Sequence, residues 1–132
     1  MTVFVDTSAL YAVLDADDRF HARARRIWTG LIGDEAALCT HNYVVLEICA
    51  LAQRRLGMEA LRVLAADVLP LVDIGFVDEA LHKTALLDLL GTARSRVSLV
   101  DCASFAFMRA RGLTTAFAFD SHYAERRFKT LS

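Results

Sequence analysis

Short apolar runs alternate with longer helical stretches along the whole chain, and this alternation is the strongest constraint on its fold. The strand-like runs are 3–5, 37–39, 71–74 and 114–119, and a further short strand can close the chain. Strands this short and this uniformly apolar are typical of a parallel sheet that helices cover on both faces. The alternation therefore predicts an α/β fold built around a parallel sheet.

Residues that start or stop helices divide the intervening stretches. Gly57, Pro70 and Gly112 each follow an apolar-periodic segment and are expected to end it, while Asp17 or Asp18 is expected to cap a helix. The predicted helices are 9–14, one that begins after Asp17 or Asp18, 42–56, 58–68, 77–90, 98–111 and 121–127.

The composition is that of a single cytoplasmic domain. The chain has 132 residues, 55% of them hydrophobic, and contains no linker-like stretch, so we expect one domain over residues 1–132. Its apolar runs are too short to span a membrane, and its first residues lack the basic region of a signal peptide. The three cysteines lie in apolar surroundings without a close pair, which favours free thiols in a reducing compartment over zinc ligands.

The charge balance neither requires nor excludes a nucleic-acid partner. The net charge is −1, so the chain has no global basic field that would attract nucleic acid. The basic residues are 13 Arg and 2 Lys, and arginine is the residue that makes planar, bidentate contacts to phosphate.

Four acidic residues stand in otherwise apolar surroundings. Asp6 ends the first strand run, Asp120 follows the last of the four internal runs, and Glu47 and Asp101 are single charges within apolar helical segments. Burying an isolated carboxylate is expensive, so each of them needs a basic partner or a shared cation. The basic candidates considered for Asp101 and Asp120 are Arg94, Arg96, Arg126 and Arg127.

A shared divalent cation is the second solution. The carboxyl ends of parallel strands meet at one edge of the sheet, so Asp6 and Asp120 are expected at that edge. Mg²⁺ binds a few carboxylates, keeps several waters and leaves room for a substrate phosphate. A site of this kind hydrolyses phosphodiester bonds.

Plainer interpretations stay open for the same residues. Asp6 and the segment Ser98-x-x-Asp101 both fit helix-capping patterns, and Glu47 could lie on the surface of an amphipathic helix. Asp73 and Asp88 also stand in apolar runs, and the pattern alone does not exclude them from the site.

Taken together, the segments around the four acids resemble PIN-domain nucleases, in particular the VapC-type toxins of toxin–antitoxin pairs. The matching segments are Val-Phe-Val-Asp6-Thr-Ser-Ala-Leu, Leu46-Glu47, Ser98-Leu-Val-Asp101-Cys-Ala-Ser-Phe and Ala-Phe-Asp120-Ser-His-Tyr. The resemblance covers essentially the whole chain. It implies a three-layer α/β/α sandwich around a short parallel sheet of four or five strands.

The resemblance also implies roles for the four acids. Asp6, Glu47, Asp101 and Asp120 would converge on one or two Mg²⁺ or Mn²⁺ ions as the catalytic, metal-binding set. Asp6 and Asp101 would be the firmest ligands, and Asp120 would bind directly or through water. Glu47 would act through water or at a second metal.

Several polar residues would support this centre. Ser8 and Ser98 fall where the family often has a hydroxyl that holds a metal ligand, although helix capping explains them equally well. His122 lies close to Asp120 in the sequence and could contact substrate, but the default expectation is an ordinary surface histidine. Contacts to RNA phosphates would come from Arg94, Arg96 and Arg126, with Arg19, Arg23 and Arg127 as further candidates.

The function that follows is that of a Mg²⁺- or Mn²⁺-dependent endoribonuclease, the toxin of a type II toxin–antitoxin pair. Its partners would be an RNA substrate, a cognate antitoxin and a second copy of the chain in a homodimer. One alternative is a catalytically silent PIN-fold scaffold. Another is a phosphatase with an aspartate nucleophile, which needs a second Asp two residues after the first, where this chain has Ser8.

Overall fold

In the computed structural model of the chain, which describes residues 1–92 and 96–132, strands and helices alternate as predicted. Within these ranges the strands are β1 (Thr2–Val5), β2 (Ala37–His41), β3 (Asp73–Gly75), β4 (Thr115–Phe117) and β5 (Lys129–Leu131). They form one parallel sheet in the order β3-β2-β1-β4-β5. The predicted parallel α/β fold is confirmed, with a sheet of five strands.

Helices cover both faces of this sheet. In the described ranges they are α1 (Thr7–Leu14), α2 (His21–Gly33), α3 (Asn42–Arg55), α4 (Met58–Val63), α5 (Glu79–Gly91), α6 (Leu99–Ala110) and α7 (His122–Glu125). Each of them is too short or too polar to cross a lipid bilayer.

The core is centred on β1, the middle strand of the sheet. Val3, Phe4 and Val5 are each 0% exposed, and the Phe4 ring centroid lies 5.9 Å from that of Phe107 and 6.2 Å from that of Tyr123. Burying a large apolar side chain stabilises a fold by about 1.5–3 kcal/mol. Three such residues in succession make β1 a rigid base for the residue that follows it, Asp6.

The segment predicted as a helix over 58–68 is helical throughout, but it is not a uniform α-helix. It consists of α4 and a wider, π-helical turn at Leu64–Val68, and a 3-10 turn at Leu69–Leu71 follows. Leu64 and Val68 are both buried in the core, so tertiary packing determines the path of the chain here. The strand predicted at 71–74 consequently begins later, at Asp73.

The start of α2 also differs from the prediction. The helix begins at His21, and the residue at its N-cap is Phe20, which makes no side-chain capping bond. The Asp18 carboxylate accepts a hydrogen bond from the Phe20 amide at 2.8 Å, and Asp15 accepts one from Asp17 at 2.9 Å. These aspartates therefore close turns ahead of the helix, a use of short acidic side chains that competes with capping.

Candidate active site

Asp6 and Asp120 lie where two neighbouring strands end. β1 and β4 pair in parallel with Val5 opposite Phe117, and the Asp6 amide donates to the Phe117 carbonyl at 3.0 Å. The chain continues from β4 to Asp120 within three residues. Both carboxylates are thereby placed at the carboxyl edge of the sheet, where α/β folds form their sites.

A cleft of about 400 Å³ opens at this edge and is lined by all four acids singled out in the sequence. They reach it from four parts of the chain: the end of β1, the middle of α3, the first turn of α6 and the loop after β4. The other lining residues are Thr7, Ser8, Tyr11, Asp18, Phe20, Leu51, Arg55, Ser98 and Phe119.

Asp6 is the most deeply buried of the four, with 4% of its surface exposed. Its Oδ2 accepts hydrogen bonds from the Ser8 hydroxyl at 2.6 Å and the Ser8 amide at 3.1 Å, and its Oδ1 accepts one from the Tyr123 hydroxyl at 2.7 Å. Burial raises the pKa of Asp6 although these hydrogen bonds lower it, and the charge of Asp120 raises it further. The carboxylate is thus held rigidly in a place where its charge is costly.

Asp101 is both a helix cap and part of the cleft. Ser98 and Asp101 form a capping box at the start of α6, in which the Ser98 amide donates to Asp101 Oδ2 at 3.0 Å and the Asp101 amide donates to the Ser98 hydroxyl at 3.1 Å. Burial, together with the charges of Asp6 and Asp120, raises the pKa of Asp101 to about 6. The sequence left open whether Asp101 caps a helix or belongs to the site, and the structure shows that it does both.

Asp120 is paired with a histidine that the sequence analysis placed on the surface. The Nδ1 atom of His122 lies 2.7 Å from Asp120 Oδ1 and 3.8 Å from Asp101 Oδ2, and its side chain is 17% exposed. One potential ligand atom each from Asp101, Asp120 and His122 lie within 4.8 Å of one another. The expectation for His122 was wrong because its α7 position turns the ring toward the acids rather than toward solvent.

Glu47 is positioned by a buried histidine. His41 caps α3 by accepting from the amides of Tyr43 and Val44 at 3.2 and 3.3 Å, and its Nε2 donates to the Ser104 hydroxyl at 2.8 Å. Burial lowers the pKa of His41 to about 4, so the ring is neutral at pH 7 and keeps the Nδ1 lone pair that the cap requires. This anchored start of α3 presents Glu47 to the cleft.

Ser8 and Ser98 are in contact with the acids they were predicted to support. The Ser8 hydroxyl donates to Asp6 and also accepts from the Phe119 amide at 3.0 Å, which ties the end of β4 to the start of α1. Ser98 holds Asp101 through the capping box and lines the cleft beside it.

Of the three arginines first predicted to contact RNA, Arg126 has another partner, Arg96 is exposed, and Arg94 falls outside the described residues. Arg126, the residue that follows α7, makes a bidentate ion pair with Asp88 of α5 at 2.8 and 3.2 Å, which differs from its predicted roles beside Asp120 and RNA. Arg96 is exposed in the turn before α6, and Arg94 falls in the gap between the two described ranges. The competing acids are accounted for as well, since Asp88 is paired and Asp73 is exposed on β3.

We expect Arg126→Ala to lower stability without weakening RNA cleavage. The Arg126–Asp88 pair is roughly a quarter to a third exposed, and losing it should cost on the order of 1 kcal/mol. Urea unfolding of the single and double Arg126→Ala, Asp88→Asn variants measures the coupling between the two residues. A raised KM for RNA in Arg126→Ala at unchanged stability would contradict this structural role.

Several residues of the site were not foreseen from the sequence, among them Asp18, Tyr123 and Arg55. Asp18 was predicted only as a possible helix cap, and no role was predicted for Tyr123. Arg55 could have been found, because it follows Glu47 and Leu51 at intervals of four residues and so shares their helix face. Its guanidinium lies 5.7 Å from the centroid of the Tyr11 ring, another residue of the cleft.

The donor set of the cleft fits a hard divalent cation. The charge of Asp120 raises the pKa of Asp6, and the charges of Asp6 and Asp120 raise the pKa of Asp101, so negative charges act on one another in this cleft. Carboxylate oxygens are the ligands that Mg²⁺ and Mn²⁺ prefer. A cation bound among them would remove the repulsion.

Comparisons with known proteins point to one family. Residues 3–129 match the PIN domain family. The chain is 34% identical over 127 residues to the 23S rRNA-specific endonuclease VapC20 of Mycobacterium tuberculosis, covering 96% of this chain and 95% of that protein. The crystal structure of that VapC20, described as a sarcin–ricin loop cleaving toxin, superposes with a TM-score of 0.85 at 33% identity, covering 96% of this chain and 95% of that one.

More distant structures share the fold. FitAcB from Neisseria gonorrhoeae gives a TM-score of 0.72 at 16% identity over 100% of this chain and 97% of that one. VapBC2 from Rickettsia felis, bound to a DNA fragment from its promoter, superposes with a TM-score of 0.70 at 10% identity. The match covers 98% of this chain and 97% of that one. The chain therefore belongs to the PIN-domain family, and within it to the VapC-type endoribonucleases of toxin–antitoxin systems.

Proposed function

We propose that the chain is a Mg²⁺- or Mn²⁺-dependent endoribonuclease that cleaves 23S ribosomal RNA as the toxin of a toxin–antitoxin pair. The observation that carries the proposal is the convergence of four carboxylates, from four separate parts of the chain, on one cleft. The relative that is 34% identical over almost the full length is a 23S rRNA-specific endonuclease, which supports the choice of substrate.

Asp6, Asp101 and Asp120 would hold the metal, with Glu47 across the cleft on α3. A bound divalent cation supplies charge stabilisation at the phosphoryl group and lowers the pKa of a bound water. The chain's own contribution is to keep its carboxylates in place. Ser8 and Tyr123 immobilise Asp6, and Ser98 immobilises Asp101, so that little reorganisation accompanies substrate binding.

His122 would act on Asp120 as a positioning residue. Its Nδ1 lies 2.7 Å from Asp120 Oδ1, and the Asp120 carboxylate also accepts from the His122 amide at 2.8 Å. Two contacts from one residue fix the carboxylate in orientation, as partners of metal ligands commonly do. Glu47 makes no such contact in the described part of the chain and is free to act on water or on a second ion.

The proposal predicts that purified protein cuts an oligoribonucleotide that carries the sarcin–ricin loop of 23S rRNA. We expect one main cut with Mg²⁺ or Mn²⁺ and none in EDTA, because the unneutralised carboxylates repel the phosphate. The fragments are resolved on a denaturing gel, and a loop of scrambled sequence is the matched control.

The possible failures separate the parts of the proposal. Cleavage of other RNA but not of this loop would show that the proposed substrate is wrong and that the proposed nuclease activity is right. Undiminished cleavage in EDTA would show that the activity does not require a divalent metal ion. Absence of any metal-stimulated cleavage, in ribosomes as well as in free RNA, would favour the catalytically silent scaffold.

Two partners are proposed together with this activity. A cognate antitoxin is expected because the relative's structure is described as that of a toxin. A homodimer stays a prediction from the family resemblance, as does a cytoplasmic location. Exposed apolar side chains on α5, Leu87 at 71% and Leu90 at 73%, provide a surface that a partner could cover. Analytical ultracentrifugation of the isolated chain measures its oligomeric state.

A further inference from the structure

A stacked aromatic pair forms one wall of the acidic cleft. The rings of Phe20 and Phe119 lie 4.7 Å apart between centroids at an interplanar angle of 12°. Both residues also line a second depression of about 220 Å³, which we call the side groove. The side groove shares Asp120 with the cleft and continues from it. Its other lining residues are Arg23, Ala118, Ser121, Ala124, Thr130 and Ser132.

Two arginines flank this aromatic pair. The guanidinium carbon of Arg19 lies 4.4 Å from the centroid of Phe20, and that of Arg23 lies 5.3 Å from it. Within residues 1–92 and 96–132, neither arginine forms an ion pair with a carboxylate, unlike Arg126. Their charges are therefore held in place by the ring and are available to an anionic ligand.

The chain fixes this segment relative to the acids. The Phe20 amide donates to Asp18, itself a residue of the cleft, and the His21 ring lies 2.7 Å from the Ala12 carbonyl at the end of α1. On the other side of the stack, the Phe119 amide donates to the Ser8 hydroxyl, which in turn holds Asp6. The aromatic pair is thus joined by short contacts to the acidic centre and does not depend on a free loop.

The cleft is lined mainly by acids, so an RNA strand that binds there needs positive charge beside the cleft. Among the residues that the structure describes, five acids line the cleft and only one arginine, Arg55, does so. Phosphates adjacent to the cleaved one therefore need positive charge from outside it. The side groove provides Arg23, and its small and hydroxyl-bearing side chains leave space for a ribose-phosphate backbone.

We propose that Arg19, Phe20 and Arg23, with Phe119, bind the RNA nucleotide next to the cleaved phosphate, and that the strand leaves the cleft along the side groove. The two guanidinium groups contact the phosphate, and the aromatic pair contacts the ribose and base. The inference rests on the proposed ribonuclease function and adds the path of the substrate to it. Contacts of this kind position RNA without reading its sequence.

The test measures RNA binding in an Asp101→Asn background, which is not expected to cleave. The probe is a fluorescein-labelled single-stranded oligouridylate, and anisotropy is recorded over a series of salt concentrations. Each of Arg19→Ala and Arg23→Ala should reduce the slope of log K against log salt by roughly one unit. Phe20→Leu should weaken binding by about fivefold or more. Arg25→Ala is the matched control, because Arg25 is an exposed arginine of α2, the helix that contains Arg23.

The possible results separate this inference from the function on which it rests. If Arg19→Ala and Arg23→Ala bind with the affinity and salt slope of Arg25→Ala, the RNA path is wrong, even if the unmutated chain cleaves RNA. If the Asp101→Asn parent does not bind the probe, the site is not an RNA site. If the unmutated chain still cleaves RNA, only the proposed RNA path is wrong. If it does not, the proposed ribonuclease function is wrong as well. The arginine variants keep the test valid if Phe20→Leu lowers the melting temperature.

Discussion

Asp101→Asn should abolish RNA cleavage while leaving the fold intact. An asparagine at this position retains a carbonyl oxygen that can accept from the Ser98 amide, so the capping box of α6 survives. The substitution removes the negative charge with which Asp101 would hold a divalent cation in the proposed site. We expect kcat/KM to fall by on the order of a hundredfold or more, since even residues that only orient a ligand change activity by roughly 10- to 100-fold.

Asp73→Asn is the matched control for this substitution. Asp73 is another aspartate in an apolar segment, but it is exposed on β3, away from the cleft. It should retain the activity of the unmutated chain. Circular dichroism and the melting temperature of both variants check that the fold is retained. Activity of Asp101→Asn equal to that of Asp73→Asn would rule out the metal centre assembled from these carboxylates.

The sequence was most informative where one residue type stood against its surroundings. A single acid within an apolar run, such as Asp6 after Val5 or Glu47 within α3, cannot be explained by the packing of its own element. The rule that parallel strands end at one edge then locates the site before any coordinates are known. The pattern therefore anticipated the sheet and the positions of Asp6 and Asp120. The convergence of Glu47 and Asp101 with them followed only from the family resemblance, because the pattern did not exclude Asp73 and Asp88.

Other residues of the site carry no such local signal. Tyr123 is in a short helix that buries it, and only the fold brings its hydroxyl to Asp6, 117 positions earlier in the chain. Arg126 was misjudged because its partner, Asp88, lies 38 positions away on α5. The turn at Leu64–Val68 likewise follows from packing against the core. The local sequence pattern carries no information about contacts between segments that are far apart in the chain.

Without metal, the protein should become less stable as the pH rises from about 4 to about 6. The pKa of Asp101 is raised to about 6 in the folded state, compared with 3.8 for an ordinary aspartate. Between these values the folded state binds more protons than the unfolded state, so the free energy of unfolding falls as the pH rises. Stability contributed by the protonated carboxyl is complete below pH 4 and is lost above pH 6. The raised pKa of Asp6 acts in the same direction.

Asp101→Asn removes this titration and should therefore be more stable than the unmutated chain in EDTA at pH 7. One pKa unit corresponds to about 1.4 kcal/mol, so we expect a gain on the order of 2 kcal/mol, or roughly 5–10 °C in melting temperature. Mg²⁺ or Mn²⁺ should raise the melting temperature of the unmutated chain at pH 7 and leave that of the variant nearly unchanged. Calorimetry in EDTA between pH 4 and pH 7.5 measures both curves. Parallel curves for the two proteins would show that neither burial nor the neighbouring carboxylates disfavour the Asp101 charge, and the physical reason for a cation in this cleft would then be lost.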